Sequence, residues 1–406
     1  MERCPSWSPV VSQLSGYRHR FLLRFRTLVL PQSPISETLL VVQHVNDTGY
    51  SVSKSVRPCD LSALSPYLIP SSLGHKKKVN IGDGIILRAI ERFVGPLSRE
   101  SIISPRIAPT REQLEVIDRS KCVLIAGANQ LNDNYSIWPG LTLEQLKRTR
   151  VPFIPFGVGI HGGEGHTNGL SENSRAILEC MHERIEYSSW RCPATVAYLS
   201  RALQHLAHKF LMTGCPVLYD RPLLEGRGFT DRIKRIAVTI TERDDFMRRE
   251  TTLLSRVAKQ FPKSERYLVL HQNFSPPTRY EALSHRLLRG HMFKQNEYQK
   301  LRMHARQLGF RIVIPRDADE CIQFYHGVDA HMGSRLHAHL LCLSLAKRSA
   351  LIAVDGRAPG IAEFFGFPLF TADNITDGLA ADFEHIRGRA QFGFRTMESF
   401  LSSLPR

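Results

Sequence analysis

No stretch of this 406-residue sequence approaches the ~18–20 uninterrupted apolar residues that a membrane-spanning helix needs. The longest apolar runs, such as Phe153 to Ile160, have the length of buried strands. No two cysteines stand in C-x-x-C spacing. Cys4, Cys59, Cys122, Cys180, Cys192, Cys215, Cys321 and Cys342 are scattered, several in apolar surroundings. That argues against a zinc site and a disulfide framework, and predicts free core thiols in a reducing compartment. Zinc-finger spacing, the aromatic signature of RNA-binding sheets and long Lys/Arg blocks are missing too, which argues against a nucleic-acid partner. His75-Lys76-Lys77-Lys78 is short and reads as a solvated loop.

Acidic residues are the scarce charge: 38 Asp and Glu stand against 54 Lys and Arg, for a net charge of +16. Such a balance favours anionic partners. The basic residues are spread along the chain and most are arginine, which suits bidentate contact with phosphate or carboxylate. Residues 1–36 hold Arg3, Arg18, Arg20, Arg24 and Arg26 against one acid, Glu2. Their apolar stretch is broken by two arginines, so it lacks the ~7–15 residue core of a signal peptide. It reads as a basic, poorly ordered extension. The expected location is the cytoplasm, with peripheral contact at the inner membrane face through the basic surface.

Leu39 to Val45 reads as a buried strand and residues 46–78, rich in Ser, Pro and Gly, as loop. Apolar residues then recur at Ile86, Ala89, Ile90 and Phe93, a helical spacing, with Asp83 as the expected cap. Cys122–Ala126 and Val151–Phe156 are apolar strands that each run into a glycine turn, at Gly127 and at Gly157–Gly163. A helix from Ser171 to about Ile185, a strand Ile185–Ser189 and a helix Pro193–Leu203 follow. The pattern restarts after Cys215-Pro216, with strands at Ile233–Ile240, Tyr267–Leu270, Phe310–Ile314 and Ala350–Val354. Helices at 246–259, 293–307 and up to about Leu345 separate them. Strand, turn and helix in alternation is the signature of parallel sheets with crossover helices. The expectation is an α/β fold of two Rossmann-like doubly wound domains, 37–215 and 216–406, with a cleft between them. Ligands in such sheets bind beyond the carboxyl ends of the strands.

Gly157-Val-Gly-Ile-His-Gly162 matches the dinucleotide pattern G-x-G-x-x-G, but the helix begins too late after it. It reads instead as a glycine turn at the cleft that faces acceptor. His326, His331, His337 and His339 crowd together in sequence. His337 and His339 are two apart at a helix start and so point to different sides, and no H-E-x-x-H accompanies them, which argues against a metal. An anion site fits better. Gly333-Ser-Arg-Leu-His337 lies where a strand feeds a helix, so free N–H groups and the helix dipole face the cleft. Arg335 adds charge and His337 a titratable proton. Val354-Asp-Gly-Arg357 brings a second guanidinium from the next strand end.

The blocks 333–347, 351–357 and 363–368 resemble the C-terminal signature of the polysaccharide pyruvyl transferase family. Asn80-Ile-Gly-Asp83, the two glycine turns and Tyr187-Ser-Ser-Trp-Arg191 agree with it, and the order of pieces covers roughly residues 79–370. Arg357 stands where many members carry Lys, and Cys192 where many carry Asp. The resemblance implies a GT-B-like fold with phosphoenolpyruvate as donor. It also implies transfer of pyruvate, as a ketal, to two hydroxyls of a sugar in a polysaccharide or its lipid-linked precursor. No metal or organic cofactor is required by that chemistry. On this reading the first domain takes the acceptor and the second the donor. His337 is the expected acid, and Asp83 orients or deprotonates an acceptor hydroxyl. Ser334, Arg335, Leu336, Arg357 and Arg191 hold the donor, while Asn80, Asn129 and His161 meet the acceptor. The alternative is a GT-B glycosyltransferase whose phosphate clamp serves a nucleotide-sugar diphosphate.

Overall fold

The computed structural model describes residues 61–67, 80–160, 169–271 and 297–405. The strand expected at Leu39–Val45, the basic extension and His161 lie outside the described residues.

In chain order the elements are β1 (Leu61–Leu64), α1 (Ile81–Val94), β2 (Ile102–Ile103), α2 (Arg111–Arg119), β3 (Cys122–Ala126), α3 (Leu143–Arg148), β4 (Phe153–Phe156), α4 (Glu172–His182), β5 (Ser188–Trp190), α5 (Pro193–Ala202) and β6 (Phe210–Met212). There follow α6 (Arg221–Leu224), β7 (Arg235–Thr239), α7 (Met247–Gln260), β8 (Glu265–Val269), α8 (Glu297–Gln307), β9 (Phe310–Val313), α9 (Ala318–His326), β10 (Ala330–Gly333), α10 (Leu336–Ser344), β11 (Arg348–Ile352), α11 (Arg357–Phe365), β12 (Leu369–Phe370) and α12 (Phe383–Ser402).

All the strand pairs are parallel, and they form two main sheets of mixed α/β character. The first has the order β2-β1-β3-β4, and β5 and β6 continue beside it through a bridge between Val158 and Trp190. The second has the order β12-β11-β10-β7-β8-β9. Counted from β7 as the first strand, this is the Rossmann order 6-5-4-1-2-3. The winding therefore reverses between β7 and β10, and the crevice beyond those strand ends is where such sheets take ligands.

Three sequence expectations need correction. The 46–78 segment is not all loop: Leu61-Ser-Ala-Leu64 is β1, wholly buried and paired on both sides with β2 and β3. Four residues are too few to show an alternation, so pairing and not local pattern makes this strand. The strand expected at Ile185–Ser189 begins at Ser188, because the ladder with β6 runs from Ser188–Phe210 to Trp190–Met212. The cap of α1 is Asn80 and not Asp83. Asn80 has extended backbone, and its Oδ1 accepts from the Gly82 N–H at 3.2 Å.

The two sheets share one apolar cluster, which runs from Leu124 and Phe156 of the first to Leu341 and Leu351 beside the second. Helix α1 carries much of the junction. Arg88 on α1 forks onto Asp319 of α9 at 2.7 and 2.8 Å, and the Tyr67 hydroxyl accepts from the Ala318 N–H at 3.0 Å. The last helix, α12, returns to the first sheet, where Phe400 meets Phe156 edge-on with ring centroids 4.9 Å apart. The six cysteines among the described residues are buried and free.

Candidate active site

The turn between β10 and α10 is braced from β7 and β11. The Ser334 N–H donates to the Thr239 carbonyl at 3.1 Å and the Arg335 N–H to Thr239 Oγ1 at 3.2 Å. That hydroxyl also meets His331 Nε2 at 2.8 Å, and the Nδ1 atoms of His331 and His339 each lie 2.8 Å from Ser349 Oγ. One arrangement that satisfies every contact has Thr239 accept from Arg335 and donate to His331, His331 Nδ1–H donate to Ser349, and Ser349 donate to His339. Burial pushes the His331 imidazole down to about 3 and holds His339 well below its ordinary value, so both act as neutral braces under the turn.

The turn sends its two charged-motif side chains in different directions. Arg335 is spent on the protein. Its Nε donates to the Ile240 carbonyl at 2.8 Å, and its Nη2 to the Thr241 carbonyl at 2.9 Å and to Glu242 Oε1 at 2.8 Å. Glu242 is buried, sits at φ +58°, and also accepts from the His271 N–H at 2.7 Å. Leu336 joins the shared apolar cluster. His337 instead faces the first half of the chain. A Cβ placed on Gly82 of α1 would stand 2.8 Å from His337 Nδ1, so only glycine lets the helix start come so close.

Around His337 the cations gather. Arg191, which follows β5, is 1% exposed, among the largest fully buried side chains. It lies against Gly159, where a Cβ would collide with its guanidinium. Its Nη2 donates to Asn129 Oδ1, while its Nε and Nη1 are buried with no hydrogen-bond acceptor. Ser334 Oγ and His337 Nε2 are likewise buried without partners. Arg357, at the start of α11, forks onto Asp355 at 2.8 and 2.7 Å. Asp83 is 6% exposed in the first turn of α1; Asn80 Nδ2 donates to it at 3.0 Å and Arg106 Nη2 lies 3.6 Å away.

The electrostatics of these groups are coupled. Burial, then Arg191 and Arg357, hold the His337 imidazole well below its usual range. Burial pushes the Asp83 carboxyl up, against the pull of Arg106, Asn80, Arg357 and Arg191. Burial also lowers Arg191. Asp355 is the exception: its pair with Arg357 overcomes burial, lowering the carboxyl and raising the guanidinium. The result is a buried corner with unspent N–H donors, beside an imidazole whose charged form is disfavoured and a carboxyl whose proton affinity is raised.

Of the residues expected from sequence, Asn80, Asp83, Asn129, Arg191, His337 and Arg357 come to this one junction of the two sheets, and Ser334 stands in the turn that leads to His337. Arg335 and Leu336 are turned into the protein. Asp355, Glu242, Thr239 and Arg106 were not singled out as site residues. Asp355 had a signal, since it stands two residues before Arg357 inside the block read as an anion motif. Arg106 and Glu242 had none.

Fold and site together define a parallel α/β protein with a buried, cation-rich corner built from both sheets. The sequence profile described as "Polysaccharide pyruvyl transferase" matches residues 80–356, more than half of the 406-residue chain. The chain belongs to the polysaccharide pyruvyl transferase family, and so to the transferases of polysaccharide biosynthesis. No curated protein sequence matches it. Among solved structures it is similar to MnaA of S. aureus in its co-structure with UDP, at 10% identity over 85% of this chain and 97% of that one, with a TM-score of 0.43. It is similar to UDP-GlcNAc 2-epimerase from Neisseria meningitidis bound to UDP-GlcNAc, at 10% identity over 84% and 93%, TM-score 0.42. The wall teichoic acid polymerase TagF matches at 12% identity over 86% and 89%, TM-score 0.41. No helix among the described residues is long and apolar enough to cross a membrane.

Proposed function

We propose that this protein transfers pyruvate from phosphoenolpyruvate onto two hydroxyls of one sugar, forming a cyclic ketal and releasing phosphate. The observation that carries this reading is Arg191: a fully buried guanidinium whose Nε and Nη1 have no acceptor, beside Arg357 and His337. A buried unpaired charge costs several kcal/mol. A small ligand with a phosphate and a carboxylate offsets that cost by accepting the unspent N–H groups. The donor sits on the β10 and β11 ends of the second sheet, and the acceptor approaches along α1 and the Asn129 turn of the first.

The chemistry needs a proton on the enol methylene, which leaves an oxocarbenium-like carbon for hydroxyl attack. His337 supplies that proton. It is neutral when alone among cations, and the donor's negative charges bring it into the protonated form. One acceptor hydroxyl attacks, the carbon–oxygen bond to phosphate breaks, and the second hydroxyl closes the ring. One hydroxyl proton is thereby conveyed to the new methyl group and the other leaves with phosphate. Asp83, with its raised proton affinity, takes a proton from the acceptor hydroxyl that Asn80 and Asn129 help to orient. Arg357 and Arg191 balance the phosphate as it departs.

The test is incubation of the full chain with phosphoenolpyruvate and a panel of galactosides and mannosaminides. Phosphate release and product mass are read together. The expected product gains one carboxylate and is lost in His337→Ala with the fold intact. Full turnover by His337→Ala would remove the acid assignment. Sugar addition from a nucleotide sugar, with no ketal formed, would replace the reaction itself.

A further inference from the structure

The same sheet that carries His337 at its carboxyl edge has a second basic feature at its amino edge. A cavity of about 320 Å³ opens where β7, β10 and β11 begin. That volume is at the lower end of those that hold small ligands. Arg227, Thr230, Arg235, Gly327, Asp329 and Lys347 are among its walls. The strands are parallel, so the cavity lies a full strand length, roughly 13 Å for four residues, from the β10 turn that holds Ser334.

Its charges are unevenly committed. Lys347 is fully used: its Nζ donates to the carbonyls of Tyr325, His326 and Val328 at 2.6, 2.7 and 2.7 Å. It thereby cancels the carbonyl end of α9, which would otherwise repel an anion. Asp329 is also committed, because its carboxylate accepts from the Lys234 and Arg235 N–H groups, each at 2.8 Å. The guanidinium groups of Arg227 and Arg235 have no carboxylate or carbonyl acceptor among the described residues. Arg235 reaches over the end of α9, where a Cβ on Gly327 would lie 3.7 Å from its Nη1. Two unpaired forks over a walled space, with the nearby carboxylate occupied, make a receptor for a tetrahedral oxyanion.

We infer that this cavity is a second anion site, separate from the transfer site, which binds inorganic phosphate or a phosphate monoester through Arg227 and Arg235. The inference does not rest on the reaction proposed above. It gives the protein a place to sense phosphate, the by-product of the transfer proposed above. β10 joins the two sites, since Val328 and Asp329, which lead into it, line the cavity and its last residue leads into the Ser334 turn.

The experiment is isothermal titration of the full chain with inorganic phosphate, and separately with glucose 1-phosphate, at ionic strength held constant with chloride. It is run on the wild type and on R227Q/R235Q. Both side chains are exposed, so the variant keeps its fold, which a thermal melt verifies. The expected result is loss of one binding event in the double variant, with affinity down about tenfold or more. Tighter binding of glucose 1-phosphate identifies a sugar phosphate as the ligand, and the reverse order identifies free phosphate. If the transfer reading is right, one further event survives in the variant; if that reading is wrong, none does, and the second site still stands. Identical titrations of wild type and variant overturn the inference, as does an absence of binding to the wild type at millimolar phosphate.

Discussion

Two arginine-bearing corners of this molecule behave in opposite ways. At the β7–β10 crossing, Arg335 has its fork filled by two backbone carbonyls and a buried glutamate. At the junction of the sheets, Arg191 is more deeply buried and yet has two nitrogens without any acceptor. A motif reader weights both equally, because each is an arginine in a glycine- or serine-rich turn after a strand. The partners separate them. Arg335 is a structural strut with its charge already balanced, whereas Arg191 is held by packing with two nitrogens left unsatisfied.

This contrast predicts different failures. Arg335→Ala removes the 2.8 Å ion pair to the buried Glu242, three residues beyond β7. Breaking one side of such a pair costs about 3 kcal/mol or more. The expected outcome is a large fall in the denaturation midpoint in the absence of any donor, with Glu242→Gln in the same chain recovering much of it. A variant that melts like the wild type but binds donor poorly would reverse the assignment and make Arg335 a ligand clamp.

Arg191→Met tests the other corner. It removes an unpaired buried charge and fills the space with an apolar side chain of similar length. Thermal stability without donor is expected to stay level or rise, while donor affinity falls roughly a hundredfold with the lost charge-assisted bonds. Equilibrium binding of phosphoenolpyruvate and a thermal melt measure the two quantities on one preparation. Retained affinity would show that Arg191 is only a packed cation; a steep loss of stability would show that its charge is balanced within the protein.

The sequence made the site's address legible and its internal wiring illegible. Gly333–His337 and Asp355–Arg357 lie at strand ends because short apolar runs precede them and helices follow, which pattern alone reveals. The reversal of winding between β7 and β10 then brings those ends to one crevice. What spends Arg335 is Glu242, 93 positions earlier, at a left-handed backbone position that composition does not betray. The cap of α1 was open to misreading for a similar reason. Both Asn80 and Asp83 are cap formers, and only the bond from the Gly82 N–H to Asn80 decides between them. β1 was missed because four buried residues without alternation owe their strand to partners on either side.

The smallest effect is also the most discriminating between the two corners. His337 sits near Arg191 and Arg357, and burial together with those cations keeps it neutral at neutral pH. A bound trianion reverses the sign of the local field and raises its proton affinity, so donor binding takes up a proton. By linkage, affinity then tightens as pH falls, by up to about tenfold per pH unit for one proton. The window is roughly pH 7–8, at least a unit above the second ionisation of a phosphate ester near 6, so that the donor's own charge stays nearly constant. Calorimetry of phosphoenolpyruvate binding in buffers of different ionisation heat counts the protons directly. In His337→Gln the uptake is expected to fall, and any remainder is expected to belong to Asp83, whose carboxyl burial already pushes upward. A wild-type affinity that is flat with pH, or an uptake unchanged in His337→Gln, would move the reactive proton away from this imidazole. In Arg335→Ala carrying Glu242→Gln the uptake should persist, because that corner balances its own charge and contributes only weakly to the field at His337.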